Sequence, residues 1–267
     1  MDNSQIEPSC GGPAPDTAGS EWSLVPDLRG QVVLVTGGSR GIGRAISLAL
    51  GAVGAQVIIA ARGEADMAAV VQEIAAQGGR AVAIAADLSR KEDVTTLFAR
   101  VQEQFGRLDV LINDAGIAPI GALADFPTEE FDALVALNLR GAFLCCQEGF
   151  KMMMPKRHGY VINISSISGI KGYLHQGAYC ATKHGLMGLT KVLAMEAQAY
   201  GIRVSAILPG AVDSPMAAKG RPDLIGNPTL LQPTDVARAV LFLLSLPERA
   251  VIDQIHLRRY ASTPFPA

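Results

Sequence analysis

Cysteine is scarce in this chain, and what there is forms no metal pattern. Cys10, Cys145, Cys146 and Cys180 include no C-x-x-C pair and no interleaved histidine, so their spacing argues against zinc and no metal site is expected. They read as buried thiols of a reducing cytoplasm. His158, His184 and His256 have no partner at metal or triad spacing, and His175 reads as a loop residue. A surplus of one charge is also lacking. Lys and Arg number 23 against 25 Asp and Glu, a formal net charge of −2, so nothing draws nucleic acid or an anionic membrane surface. No apolar run of about 18 residues passes without a polar interruption, which leaves no membrane span. The first 28 residues are rich in Pro, Gly, Ser and Asp and lack both a basic start and an apolar stretch. Residues 1–28 therefore read as a loose arm rather than a secretory signal.

What is present is apolar and periodic. Hydrophobic residues make up 49% of 267 positions, enough for one sizeable core. Val32-Val33-Leu34-Val35 is a buried strand by length and β-branching. Ile42, Ala45, Ile46, Ala49, Leu50 and Val53 then fall on one helix face. Further strands are expected at 56–61, 81–86, 109–112, 160–165, 203–208 and 251–257. Between them, helices are expected at 64–77, around Val94 to Phe105, at 128–154 capped by Thr128, at 177–200, and from Thr234, read as a cap, to Leu244. This alternation predicts an α/β, single-domain Rossmann-type fold over 29–258: a doubly wound, mostly parallel seven-stranded sheet with helices on both faces. Residues 259–267 remain as a tail. Ligands of such sheets bind beyond the carboxyl ends of the strands. The Gly-rich turn after the first strand, the segment after Ile112, Ser165-Ser166 and Pro209-Gly210 all follow strand ends and are expected in one crevice.

The glycines Gly37, Gly41 and Gly43 stand between strand and helix, where a side chain would block approach of a pyrophosphate to backbone N–H groups. Downstream, Tyr179 and Lys183 share a helix face at i and i+4, with Ser166 thirteen residues before the tyrosine. A phenol is poorly matched to proton exchange at neutral pH, and a neighbouring ammonium is expected to lower its pKa. Asn138 falls inside the apolar stripe of Phe131, Leu134, Val135 and Leu139, where an amide must be bonded.

These features together resemble the single-domain branch of the short-chain dehydrogenases/reductases, whose Thr-Gly-x-x-x-Gly-x-Gly pattern is matched by Thr36 to Gly43. The resemblance spans residues 28–257. It implies an enzyme that transfers hydride between a nicotinamide cofactor and a CH–OH or carbonyl carbon. Tyr179 is then the general acid in reduction and base in oxidation, and Lys183 supports it and holds the nicotinamide ribose. Ser166 donates to the substrate oxygen, and Asn138 holds a water in a proton path to the lysine. The dinucleotide is held by Gly37, Ser39, Arg40, Gly41, Ile42 and Gly43 of the turn. Asp87 and Leu88 lie at the adenine, with Asn113, Ala115 and Gly116 after the fourth strand. Pro209, Gly210 and Val212 border the nicotinamide, and residues 213–232 form a substrate lid. Asp114 departs from the family's second Asn; an ionised carboxylate accepts hydrogen bonds but cannot donate them.

The second strand ends in Arg62, with no carboxylate at its tip and Glu64 close by. Arg40 and Arg62 can clamp a 2′-phosphate, so NADP(H) is favoured over NAD(H). The leading expectation is a carbonyl reductase acting on a small-molecule ketone or aldehyde, or the reverse alcohol dehydrogenase. A 3-oxoacyl-[acyl-carrier-protein] reductase is the alternative, although the chain ends Ile255-His256-Leu257-Arg258-Arg259-Tyr260 where those enzymes close on a Val-Asp-Gly-Gly-like segment. A non-catalytic, NADP-binding sensor and an epimerase or dehydratase are weaker alternatives. Helices apolar nearly all round, 134–154 and 185–197, predict a homo-oligomer, dimer or tetramer.

Overall fold

The structure, a computed structural model, describes residues 24–220 and 226–264. Residues 1–23 of the expected arm with Cys10, 221–225 of the expected lid and 265–267 of the expected tail lie outside the described residues.

Seven strands form one sheet: β1 (Val32–Thr36), β2 (Gln56–Ala61), β3 (Arg80–Ala85), β4 (Val110–Asn113), β5 (Gly159–Ile164), β6 (Ile202–Pro209) and β7 (Gln254–Leu257). Their order is β3-β2-β1-β4-β5-β6-β7, and every pairing is parallel. Burial follows position in the sheet. All residues of β1 and β5 are buried, whereas the edge strands β3 and β7 are largely open. That is why the central strands read as unbroken apolar runs. Successive side chains alternate between two cores. Val33, Val35, Val57 and Ile59 pack in one; Leu34, Ile58, Leu111 and Val161 pack in the other.

Helices cover both faces: α1 (Gly41–Ala52), α2 (Glu64–Ala76), α3 (Lys91–Phe105), α4 (Thr128–Leu134), α5 (Ala142–Met153), α6 (Gly177–Gln198), α7 (Pro215–Gly220) and α8 (Pro233–Ser245). Gly106, at φ +64°, ends α3 in the left-handed region. Two expected caps are corrected. Thr128 is the first residue of α4, preceded by Pro127, and no side chain caps that end. Thr234 lies inside α8, whose start is a capping box in which Gln232 and Asp235 satisfy each other's N–H groups. Between α4 and α5 the chain widens into a π-helical stretch, Val135–Gly141, which the 3.6-residue period conceals.

The strand order reverses between β1 and β4, the switch point where a crevice opens. Beneath it, Asn113 Nδ2 donates to Asn163 Oδ1 (2.9 Å), and Asn163 Nδ2 donates to Thr190 Oγ1 (2.8 Å). This buried chain fixes the ends of β4 and β5 against α6.

Candidate active site

Thr36 ends β1, and the backbone turns at Gly37 with φ +71°. A Cβ on Gly37 would stand 2.9 Å from Ala115 N and Cα, so the loop after β4 crosses here only over glycine. One on Gly43 would strike the Gly37 carbonyl and stand 2.8 Å from Asp114 Oδ2. α1 then starts with no side-chain cap from Arg40 and no acid in its first turn. Its amide groups are thus open to an anion.

A cavity of about 720 Å³ begins at this turn and runs past the tips of β2 and β3. Ser39, Arg40, Gly41 and Ile42 line it from the turn, Arg62, Asp87 and Leu88 from the strand tips, and Ala115 and Gly116 from the loop after β4. Asp87 accepts from the backbone and hydroxyl of Ser89, which holds its carboxyl below the ordinary range. Arg62 also acts on the Asp87 carboxyl, and Asp66 is a further acid in the cavity wall.

The other end of the crevice carries the titratable groups. Lys183 is 5% exposed, and its Nζ donates to the Ile164 carbonyl (2.9 Å). It stands 5.9 Å from the Tyr179 ring centroid, on the same face of α6. Burial lowers the lysine's pKa, and the charge of Asp114 works against that fall. Of the three nearby serines, Ser166 is the one that acts on the Tyr179 phenol; its Oγ accepts from Ser168 N–H (3.0 Å). Ser168 turns to Gln176 (3.3 Å), and Ser165 Oγ is buried with no partner among the described residues. Burial of the neutral phenol outweighs the expected acidification of Tyr179 by Lys183. Burial pushes the phenol up to about 12, the Ser166 hydrogen bond lowers it, and Asp114 raises it. The ammonium is turned to the end of β5.

Asn138 sits in the π-helical stretch and is buried. Its Oδ1 accepts from Ile117 N–H (2.9 Å), and its Nδ2 donates to the Ile117 carbonyl (2.8 Å) and, at 3.4 Å, to Thr182 Oγ1. The amide thus clamps the loop after β4 to α6, with both of its N–H groups engaged. The segment after β6 is rooted by a parallel bridge from Val212 to Leu231.

A family model for short chain dehydrogenases matches residues 31–224. The chain belongs to the short-chain dehydrogenase family. It is 39% identical over 234 residues to the 3-oxoacyl-[acyl-carrier-protein] reductase of Synechocystis sp., covering 84% of this chain and 93% of that one. It is 36% identical over 197 residues to the 3beta-hydroxysteroid dehydrogenase of Mediterraneibacter gnavus, covering 73% and 70%. A metagenomic short-chain oxidoreductase crystallised with NADP superposes with a TM-score of 0.78 at 35% identity, over 88% of this chain and all of that one. As a member of this family the protein is an oxidoreductase acting on CH–OH or carbonyl groups. No helix among the described residues is long and apolar enough to cross a membrane.

Within this family member, the glycine-turn residues with Arg62, Asp87, Leu88, Ala115 and Gly116 line the cavity, while Asn138, Ser166, Tyr179 and Lys183 stand outside its lining and several others are set apart. Asn113 points its amide into the network under the sheet rather than into the cavity. Gly43 acts from behind, as space for the Gly37 carbonyl and Asp114. Gly210 N–H is tied to the Leu257 carbonyl (2.7 Å), and the Val212 side chain packs in the core. His175 is exposed with φ +60°, and its carbonyl accepts from Gly121 N–H (2.9 Å). Asp66 and the Asn138–Ile117 clamp were not read from sequence. An acidic residue two places beyond Glu64 was the available signal for the first.

Proposed function

We propose that the protein reduces a ketone or aldehyde to an alcohol, or runs the reverse, with NADP(H) preferred to NAD(H). The observation that carries this is the convergence of Ser166, Tyr179 and Lys183 at the strand ends beside a cavity that opens on an uncapped helix start. The residues present fit a dinucleotide: the glycine crossing leaves room that a Cβ would fill, and the α1 amides suit phosphates. When bound, a nicotinamide dinucleotide supplies the hydride or accepts it, and its oxidised ring brings a positive charge.

The chain's own groups handle the oxygen. In reduction, negative charge grows on the carbonyl oxygen as the carbon gains hydride. The Ser166 hydroxyl donates to that oxygen, and Tyr179 Oη gives it a proton, leaving tyrosinate and an alcohol. Lys183, close to the ring, then stabilises the phenolate. In oxidation the same phenolate takes the hydroxyl proton. Asn138 serves by holding Ile117 and Thr182, which sets the loop that floors the cavity.

Arg40 and Arg62 in the cavity wall support a 2′-phosphate, and the NADP-bound neighbour is consistent with that reading. Asp66 in the same wall opposes it. The similarity to the Synechocystis reductase favours a second reading, a 3-oxoacyl thioester as substrate. Rates on acyl thioesters and small ketones under identical conditions separate the two. Phe143 (45%), Val192 (53%) and Met195 (75%) are exposed on α5 and α6, which supports assembly of copies through these helices. The buried free thiols support a reducing cytoplasm.

Tyr179→Phe tests the reading. Turnover is expected to fall by at least about a thousandfold, following loss of acid–base catalysis. NADPH binding, read by fluorescence, is expected to stay within about twofold. Undiminished turnover would remove the catalytic assignment of Tyr179; a wild-type protein that binds NADPH but turns over no carbonyl compound would favour a cofactor-binding sensor.

A further inference from the structure

Asp114 stands between the glycine turn and the titratable groups of α6. It lines the cavity, and the Gly43 N–H in the first turn of α1 acts on its carboxyl. Its Oδ2 lies 2.8 Å from where a Gly43 Cβ would be. Its own N–H donates to Thr36 Oγ1 (3.1 Å), which fixes where the side chain starts. From α6, Lys183 and Tyr179 face it: the lysine is the charge that acts on the carboxyl, and the phenol feels the carboxyl's charge in return. α1 presents only the backbone N–H at this contact. With no side-chain cap and no acid in its first turn, α1 has beside that turn a carboxylate that comes from the far side of the switch point.

That position puts the carboxylate and an incoming phosphate in competition. Both are drawn to the positive end of one helix, and both are negative. We propose that Asp114 couples dinucleotide binding to the uptake of one proton from solvent, the carboxylate becoming a neutral carboxyl as phosphates arrive at α1. The inference rests on the dinucleotide reading above. Burial already holds this carboxyl above the ordinary carboxylate range, while Lys183 and the Gly43 hydrogen bond resist. Added negative charge therefore moves a group that is poised to change. Neutral asparagine at this place has no proton to take up. The carboxyl also sets the charge state around Lys183 and Tyr179, so it is a positioning residue for the reaction as well.

The test compares the wild-type chain with Asp114→Asn, which keeps the shape and removes the charge. NADH, which has no titrating 2′-phosphate, and NADPH are titrated by fluorescence from pH 5.5 to 9. The ratio of wild-type to variant dissociation constant is expected near one at the acid end. It should rise with pH to on the order of tenfold, the size of a unit charge acting over several ångströms at an effective dielectric near 20. By linkage, the slope of that ratio counts the protons taken up through Asp114. A ratio that stays constant with pH would overturn the inference while leaving the functional reading intact; a purely structural role for Asp114 gives that result. Should the variant fail to fold, calorimetry of NADH binding to wild type in two buffers of different ionisation enthalpy decides. A measurable fraction of a proton taken up between pH 6.5 and 8.5 supports the coupling, and none overturns it. No binding of either dinucleotide at any pH would overturn the functional reading and this inference together.

Discussion

At the scale of single residues, the crevice is divided by charge. Arg40 and Arg62 lie toward one end and Lys183 toward the other, with Asp66, Asp87 and Asp114 set among them. Replacing both arginines by alanine is expected to weaken NADPH binding by roughly 10- to 100-fold, the range of one or two charge-assisted hydrogen bonds, while NADH changes little. Paired fluorescence titrations measure this, and equal losses for both cofactors would refute the clamp. Much of the residue-level site was legible because its signals are local. The Tyr179–Lys183 spacing survives folding, since a helix of any context puts i and i+4 on one face. What Lys183 does with its charge was not legible, because its Nζ bonds Ile164, a residue on a strand nineteen positions away. Choosing Ser166 over its neighbours likewise needed the contact to Tyr179, which strand alternation does not encode.

At the scale of elements, the strands announced themselves and their caps did not. β2 falls at the residues read from its apolar run, because a strand buried on both faces has no polar positions to blur its ends. α8 was read with a threonine cap; glutamine performs that role here, reciprocated by Asp235, a weaker sequence signal. The π-helical stretch was hidden because no residue type marks an i→i+5 turn. Its Asn138 carries a structural load that can be measured. Asn138→Ala strands the Ile117 N–H and carbonyl in a buried place and is expected to cost about 1–3 kcal/mol. Denaturant unfolding at constant m-value reads that loss. If the variant unfolds at the wild-type midpoint, the clamp contributes nothing to stability.

At the scale of the whole molecule, stability carries the imprint of Asp114 and Lys183. The Asp114 carboxyl is raised on folding, so the folded state holds a proton that the unfolded chain has already released. Its contribution is fully present below the ordinary carboxylate range and is lost as pH rises through the raised value. Lys183 is lowered, which has the opposite sign at alkaline pH: stability recovers as pH climbs from the lowered value toward the ordinary lysine range. The melting temperature of Asp114→Asn is therefore expected to gain on that of wild type between pH 5 and 8. Scanning calorimetry of the protein without added dinucleotide measures the gap, and a gap that is constant across this range contradicts the shift.

Where the chain leaves β6, Val212 bridges Leu231, and Asp213 N–H donates to the Leu231 carbonyl (2.8 Å). The segment that leaves at Val212 and returns at Leu231 is thereby closed at its neck. Lengthening such a closed segment costs only about 0.6 kcal/mol per doubling. A longer chain between residues 214 and 230 is accordingly expected to be tolerated. Chimeras carrying longer inserts there should melt within a few degrees of the parent; wholesale unfolding on insertion would show that the closed neck does not confine the cost.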